Sequence, residues 1–383
     1  MEIPKLQIGK LTAKFPIIQG GMGVKVSLAS LASAVANEGG IGTIAAVGLG
    51  DLSARGKEFE RKSREALMKE IEKARKMTSG LLALNVMGAL SNADELVKSA
   101  VKSGIDIIVF GAGLPLRLPA LVEDSDVALV PIISSSRVAN LILRAWDKRY
   151  KRTVDGFILE GPLAGGHLGF TPEQLEDPEN YSLEKLLPQV LDTVAPYEEK
   201  FGKKIPVIVA GGIYTGEDMA DMLALGASGV QLGTRFVCTE ECGVSKEFKQ
   251  AYVDAEKEDI SIIKSPVGMP GRALRNPFVK VLDGDGRHKY KCNYRCLASC
   301  EIDKAKFCIA DALLKSYSGD VDNGLIFCGA NAHRIDKITT VQALFSELLT
   351  EFRGVGGTLK QKVAESAKRR LAQGKRLLES NES

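Results

Sequence analysis

The feature that most restricts how this chain can fold is an alternation of short apolar runs with helical patterns, sustained through more than half its length. The runs are PIIQGG (16–21), IGTIAAV (41–47), LLALNVM (81–87), IDIIVFGAG (105–113), ALVPIISS (128–135), DGFILEG (155–161), IPVIVAGG (205–212) and GVQLGTRFV (229–237). Their near-continuous Val, Ile and Ala content is that of strands covered on both faces, as in a parallel sheet. Between them lie SLASLASAVANEG (27–39), a charged stretch over 51–78, ADELVKSAVKSG (93–104), LPALVED (118–124), RVANLILRAWDKRY (137–150), EKLLPQVLDTVAPYEEKFG (184–202) and GEDMADMLALG (216–226). Apolar residues recur there every three or four positions, which predicts helices. Eight such units within about 220 residues predict an α/β fold, a closed TIM (β/α)8 barrel rather than an open sheet.

The rest of the chain reads differently. Residues 1–237 are expected to form the barrel, and 238–383 a smaller, mostly helical C-terminal appendage. That appendage would contain a helix over 247–259, a Pro/Gly-rich connector SPVGMPGRALRNPF (265–278), a cysteine cluster, helices starting at 308 and 341, and a basic C-terminal helix over 360–380. A net charge of +3 is too balanced for nucleic-acid binding by the chain as a whole. No apolar run approaches the roughly 20 residues of a membrane span, and charges scattered through the first 23 residues do not read as a signal peptide. A cytoplasmic location is expected.

Barrel chemistry belongs to the loops after the strands. Nearly every strand here ends in small or polar residues, which suits a broad, flat ligand. Gly211 and Gly212 end the seventh strand; Gln231, Leu232, Gly233 and Thr234 end the eighth. Loops at these two places can present backbone N–H groups to a phosphate, with the Thr234 hydroxyl as a further donor. Gln19 and Asn85 close the first and third strands, and their amides can meet the edge of a ring lying across the barrel mouth. These groups together suit a flavin; singly, each is an ordinary turn residue.

The chain has three histidines, and one of them, His167, follows the strand-six loop EGPLAGG. Gly165, Gly166 and Gly169 thin that loop so that ring and substrate can approach. His167 can then act as acid or base near neutral pH, where a lone loop histidine would otherwise only brace its own turn. Glu160, at the end of strand six, can bond the cofactor or orient the histidine.

The stretches PIIQGGMG, LNV, EGPLAGGHLG, PVIVAGGI, GASGVQLGTRFV and SPVGMPGRALRNPF resemble the FMN-dependent nitronate monooxygenase and enoyl-acyl-carrier-protein reductase II family, over about residues 12–280. The resemblance implies a barrel holding one non-covalent FMN. Its contacts would be the backbone of Gly20, Gly21, Met22 and Gly23, then Asn85, Glu160, Gly165, Gly212 and the turn Gln231–Thr234; His167 matches the family's catalytic histidine. Two departures stand out: Glu160, where some members carry glutamine, and Pro162–Leu163, where many carry an acidic residue.

Two enzymatic readings share this barrel. The first is nitronate or nitroalkane oxidation by flavin and oxygen, with His167 as base. The second is enoyl-thioester reduction with NAD(P)H as co-substrate. The latter needs an acyl carrier protein, for which Lys368, Arg369, Arg370, Lys375 and Arg376 offer positive charge. A homodimer is compatible with both. The cysteines Cys292, Cys296, Cys300 and Cys308 are spaced C-x3-C-x3-C-x7-C, which is a poor zinc signature but open to an iron–sulfur cluster, or to buried reduced thiols. A cluster would lean toward reductase chemistry, or toward a flavin and iron–sulfur electron carrier as a third alternative. Cys238 and Cys242 are expected simply to pack.

Overall fold

The computed structural model describes residues 2–355 except 51–53, 55, 124, 293 and 299. A hairpin of β1 (Leu6–Ile8) and β2 (Leu11–Ala13) opens the chain. The barrel strands follow as β3 (Ile17–Gln19), β4 (Gly42–Ala45), β5 (Leu82–Met87), β6 (Ile107–Gly111), β7 (Ala128–Ile133) and β8 (Phe157–Glu160). After the two-residue β9 (Gly166–His167) come β10 (Val207–Ala210) and β11 (Gly229–Leu232). The eight barrel strands are parallel, ordered β3-β11-β10-β8-β7-β6-β5-β4. The ring closes where Gln19 N donates to Ile41 O at 3.0 Å and Ile41 N to Ile17 O at 2.9 Å. Each predicted strand is therefore present, and the TIM barrel stands.

Two cores divide the apolar residues. Ile18, Ala83, Val109, Val130, Ile158 and Ile208 fill the lumen, and Leu6, Ile8 and Ala13 of the hairpin pack against them. The hairpin thus stoppers one end of the barrel, leaving the ends of the strands for chemistry. A second, larger core lies between the strands and the surrounding helices. Those helices are α1 (Ala29–Asn37), α2 (Gly56–Met77), α3 (Ala93–Lys102), α4 (Ser136–Tyr150), the one-turn α5 (Pro172–Glu176), α6 (Leu183–Phe201) and α7 (Gly216–Leu225). The helix expected at 118–124 is only a 3₁₀ turn over Leu118–Leu121, a run of four residues that ends before an α-helix is established.

Beyond β11 the chain runs through α8 (Thr234–Val237), α9 (Lys246–Val253), β12 (Ile260–Lys264), β13 (Pro270–Leu274), α10 (Pro277–Lys280), α11 (Ile309–Tyr317) and α12 (Val341–Gly354). This adds two features to the expected smaller, mostly helical appendage. The stretch read as a connector is half of an antiparallel hairpin, and β13 pairs in turn with β9, setting Gly271 opposite His167. The last described helix, α12, packs against α7 and α1, the place of the eighth barrel helix. Glu351 accepts from Gly216 N at 2.7 Å, and a Cβ on Gly216 would fall 2.0 Å from Leu348 O, so only glycine allows this approach. Leu344, Phe345, Leu348 and Phe352 of α12 are fully buried, each contributing about 1.5–3 kcal/mol of apolar burial. One continuous core therefore spans the boundary expected at 237. The basic segment over 360–380, with Lys368, Arg369, Arg370, Lys375 and Arg376, lies outside the described residues.

Candidate active site

The loops after the barrel strands enclose a cavity of about 470 Å³. Gly20, Gly21, Met22 and Gly23 form one wall, and Asn85, Glu160, Gly165, Gly166, His167, Gly211, Gly212, Gln231, Leu232, Gly233 and Thr234 contribute to the others. The sequence had singled out all of these. Two of the glycines are required by close approach: a Cβ on Gly21 would lie 2.1 Å from the Asn85 Cβ, and one on Gly165 would lie 2.6 Å from the backbone of Cys328.

Gln19 does not belong to the cavity wall. Its side chain is fully buried, accepting from Thr43 N at 2.8 Å and donating to Ser27 Oγ at 2.7 Å and to Gly20 O. With its amide thus engaged, Gln19 shapes the Gly20–Gly23 loop from behind and has nothing left for a ligand.

At one end of the cavity the loops after β10 and β11 face each other. Gly211 and Gly212 both take positive φ, 97° and 87°, turning the chain sharply toward α7. Gly329 N donates to Thr234 Oγ1 at 3.0 Å, and Asn331 Nδ2 donates to Gly212 O at 2.7 Å. The segment 329–331 therefore locks both loops while leaving the Thr234 hydroxyl proton available. Among the described residues no Lys or Arg lines the cavity, so an anion here would be held by backbone N–H groups and that hydroxyl.

Among the described residues Glu160 is the one acidic residue in the wall. Burial raises its carboxyl to about 8, against the opposing pull of the Arg272 guanidinium. At neutral pH it is a protonated acid and a hydrogen-bond donor. Arg272, from β13, is itself buried and donates to the carbonyls of Pro162, at 2.8 Å, and Ala164. One side chain thereby ties the hairpin to the loop that carries His167.

His167 sits on β9 with its Nε2 2.8 Å from the Ser265 Oγ, and its ring meets Phe327 edge-on with centroids 5.0 Å apart. Burial lowers its pKa to about 4, so the imidazole is neutral and able to accept a proton. Ser265 also accepts from Val267 N at 3.3 Å, which fixes its hydroxyl. Ser265, Arg272, Phe327 and Asn331 all escaped the sequence reading as site residues. Ser265 and Arg272 lie within SPVGMPGRALRNPF, a stretch singled out as a connector and as part of the family resemblance, but neither residue was given a role.

These residues fit a flavin mononucleotide. A glycine-lined slot that added Cβ atoms would fill admits a flat ring; the Asn85 amide and the Glu160 acid offer donors at its edge; the β10 and β11 loops suit the phosphate.

The cysteines separate into groups. Cys238 and Cys242 are buried free thiols, with burial raising them to about 12 and about 11. Cys328 is buried behind Gly165. Cys292, Cys296, Cys300 and Cys308 are free, and among the described residues no three Cys, His, Asp or Glu side chains converge as on a single metal ion.

Comparison with known proteins agrees with this geometry. The family model described as nitronate monooxygenase matches residues 5–351. The (3aS,4S,5R,7aS)-5-hydroxy-7a-methyl-1-oxo-octahydro-1H-indene-4-carboxyl-CoA dehydrogenase of Mycobacterium tuberculosis is 30% identical over 71% of this chain, a span of 66% of that protein, just under two thirds of its length. A probable nitronate monooxygenase of Staphylococcus haemolyticus is 26% identical over 71% of this chain and 78% of its own. The structure of FabK from Thermotoga maritima matches with a TM-score of 0.71 at 27% identity, covering 91% of this chain and 96% of that one. The family match takes in the barrel, the hairpin that holds Ser265 and Arg272, and most of α12, and the chain accordingly belongs to the nitronate monooxygenase family of flavin-dependent oxidoreductases.

Proposed function

We propose that this protein oxidises nitronates and nitroalkanes with FMN as its cofactor and His167 as its base. The observation that carries the reading is the neutral imidazole of His167, held against Ser265 at the cavity wall. When bound, the flavin supplies the two-electron acceptor and its reoxidation by oxygen. The protein's own part is the proton and the electrostatics. His167 takes the α-proton of a neutral nitroalkane, leaving the carbon's electron pair delocalised onto the nitro group as a nitronate. The resulting imidazolium faces that anion. Glu160, protonated, donates to the ring edge without adding a negative charge beside a substrate that is itself anionic. Arg272 holds the loop between them in place through the Pro162 and Ala164 carbonyls.

Anaerobic visible spectroscopy of the FMN-loaded protein tests this. Nitronate is expected to bleach the flavin bands, and oxygen to restore them with oxygen uptake. Bands that ignore nitronate but bleach with NADPH or NADH would overturn it in favour of a second reading, reduction of an enoyl thioester.

That second reading draws on the cavity's shape. Met87, Leu90, Leu96, Leu297, Ile309 and Leu313 give the cavity an apolar wall, which suits an acyl chain. The mycobacterial relative is named for a CoA thioester. In that reaction NAD(P)H delivers the electrons, His167 faces the thioester end, and an acyl carrier protein or CoA carries the substrate.

A further inference from the structure

Behind the apolar wall lies a second, smaller cavity of about 160 Å³, lined by residues of the 290–309 segment. Four of its lining residues are Cys292, Cys296, Cys300 and Cys308, whereas Cys238, Cys242 and Cys328 lie elsewhere. Cys296, Leu297 and Ile309 line both cavities, so a single layer of residues separates the cysteine chamber from the proposed flavin pocket.

The segment is held firmly on the barrel. Ser91 N donates to Cys296 O at 3.1 Å, and Ala298 N donates to Ala89 O at 2.9 Å, so the loop after β5 flanks Leu297 on both sides. Farther along, Lys306 O accepts from His288 N at 2.8 Å, and the Tyr290 hydroxyl donates to Ile302 O and to Ala305 O. Tyr290 and the backbone thus satisfy one another, leaving the thiols as the chamber's chemistry.

Three simpler explanations fit the chamber poorly. Thiols that merely pack as small hydrophobes fill space, and protein interiors leave few voids larger than a water molecule. Disulfides are not formed, since all four thiols are free. A zinc ion with Zn–S bonds of about 2.3 Å would draw its tetrahedral sulfurs to about 3.8 Å of one another. Among the described residues no three ligands converge in that way. A polynuclear cluster places different demands on its ligands: each iron takes one thiolate at an outer corner, so four sulfurs stand apart around a body instead of meeting at a point. Four cysteines lining one chamber supply the number of thiolates such a cluster takes. Phe307 and Ile309 give it an apolar lining, and Arg295 offers a positive charge opposite a net-negative cluster.

From this geometry we propose that Cys292, Cys296, Cys300 and Cys308 bind a [4Fe–4S] cluster beside the flavin pocket. The assignment stands whichever substrate the flavin pocket takes, because it rests on a separate cavity.

The full-length protein, purified without oxygen, is the material for the test. About four irons and about four acid-labile sulfides per chain are expected, with a broad absorbance shoulder near about 400 nm outside the flavin bands. After dithionite reduction, electron paramagnetic resonance should show a cluster signal. Cys300→Ser and Cys308→Ser, which lie outside the flavin pocket, should each lose most of the iron while keeping bound flavin, the sign that they still fold. The proposal is overturned if the chain, reconstituted anaerobically with ferrous iron and sulfide, holds less than one iron. Stoichiometric zinc in its place, or iron retained in both variants, would overturn it equally.

Discussion

Ser265 Oγ stands 2.8 Å from His167 Nε2, although the two residues are 98 positions apart in the chain. They meet because β13 pairs with β9, which carries the turn between β12 and β13 over the barrel mouth and against the loop after β8. The proposed base is therefore oriented by a part of the chain that lies outside the barrel strands.

His167→Ala should keep FMN and lose turnover. Positioned acid–base groups contribute typically about 10²–10⁴-fold, and a fall of that size with unchanged flavin absorbance is expected. Loss of flavin from the purified variant, or normal turnover, would show that His167 has another role.

Ser265→Ala should lower kcat about tenfold while leaving KM nearly unchanged, because the serine orients the base without lining the flavin pocket. Steady-state kinetics against nitronate and nitroalkane separate the two effects. The nitroalkane should suffer more, since only that substrate still carries the α-proton. Equal losses on both would remove Ser265 from proton transfer.

Glu160 and His167 should set opposite limbs of the pH profile. Activity should fall as pH drops toward about 4, where His167 becomes charged, and again as pH rises through about 8, where Glu160 ionises. Stability should respond as well. The folded protein keeps the Glu160 proton up to about 8, while the unfolded chain releases it near 4.5, so this group's contribution declines as pH rises across that window. Glu160→Gln should flatten both the alkaline limb of kcat/KM and the alkaline decline in Tm. An unchanged alkaline limb in that variant would assign it to another group.

Gly21→Ala should weaken flavin binding by at least about tenfold. The added methyl would stand 2.1 Å from the Asn85 Cβ, so either the Gly20–Gly23 loop or Asn85 must move. Fluorescence titration of the apoprotein with FMN measures the effect, and affinity equal to that of the parent would mean the slot is wider than its glycines imply.

The barrel was legible because buried parallel strands are apolar on both faces, which leaves a pattern that needs no knowledge of the partners. The strand-end glycines and His167 were legible because barrel topology assigns those positions to one face. Gln19 was misjudged for a physical reason: a strand-end amide reads the same whether it turns to a ligand or, as here, to Thr43 and Ser27. The β12–β13 hairpin escaped because Pro266 and Pro270 punctuate it like a linker, and its pairing with a strand of only two residues has no periodicity to detect. The amphipathic character of α12 was plain, but its place beside α1 and α7 depends on contacts remote in sequence.

That remoteness bears on how the molecule is made. All eight strands have been synthesised once residue 237 leaves the ribosome, yet the groove between α1 and α7 stays bare until Leu344, Phe345 and Leu348 follow roughly a hundred residues later. The nascent barrel must wait with an exposed apolar seam while the hairpin and the cysteine segment emerge. The last described helix completes the ring, so the final seal comes after the hairpin that orients His167 has already emerged.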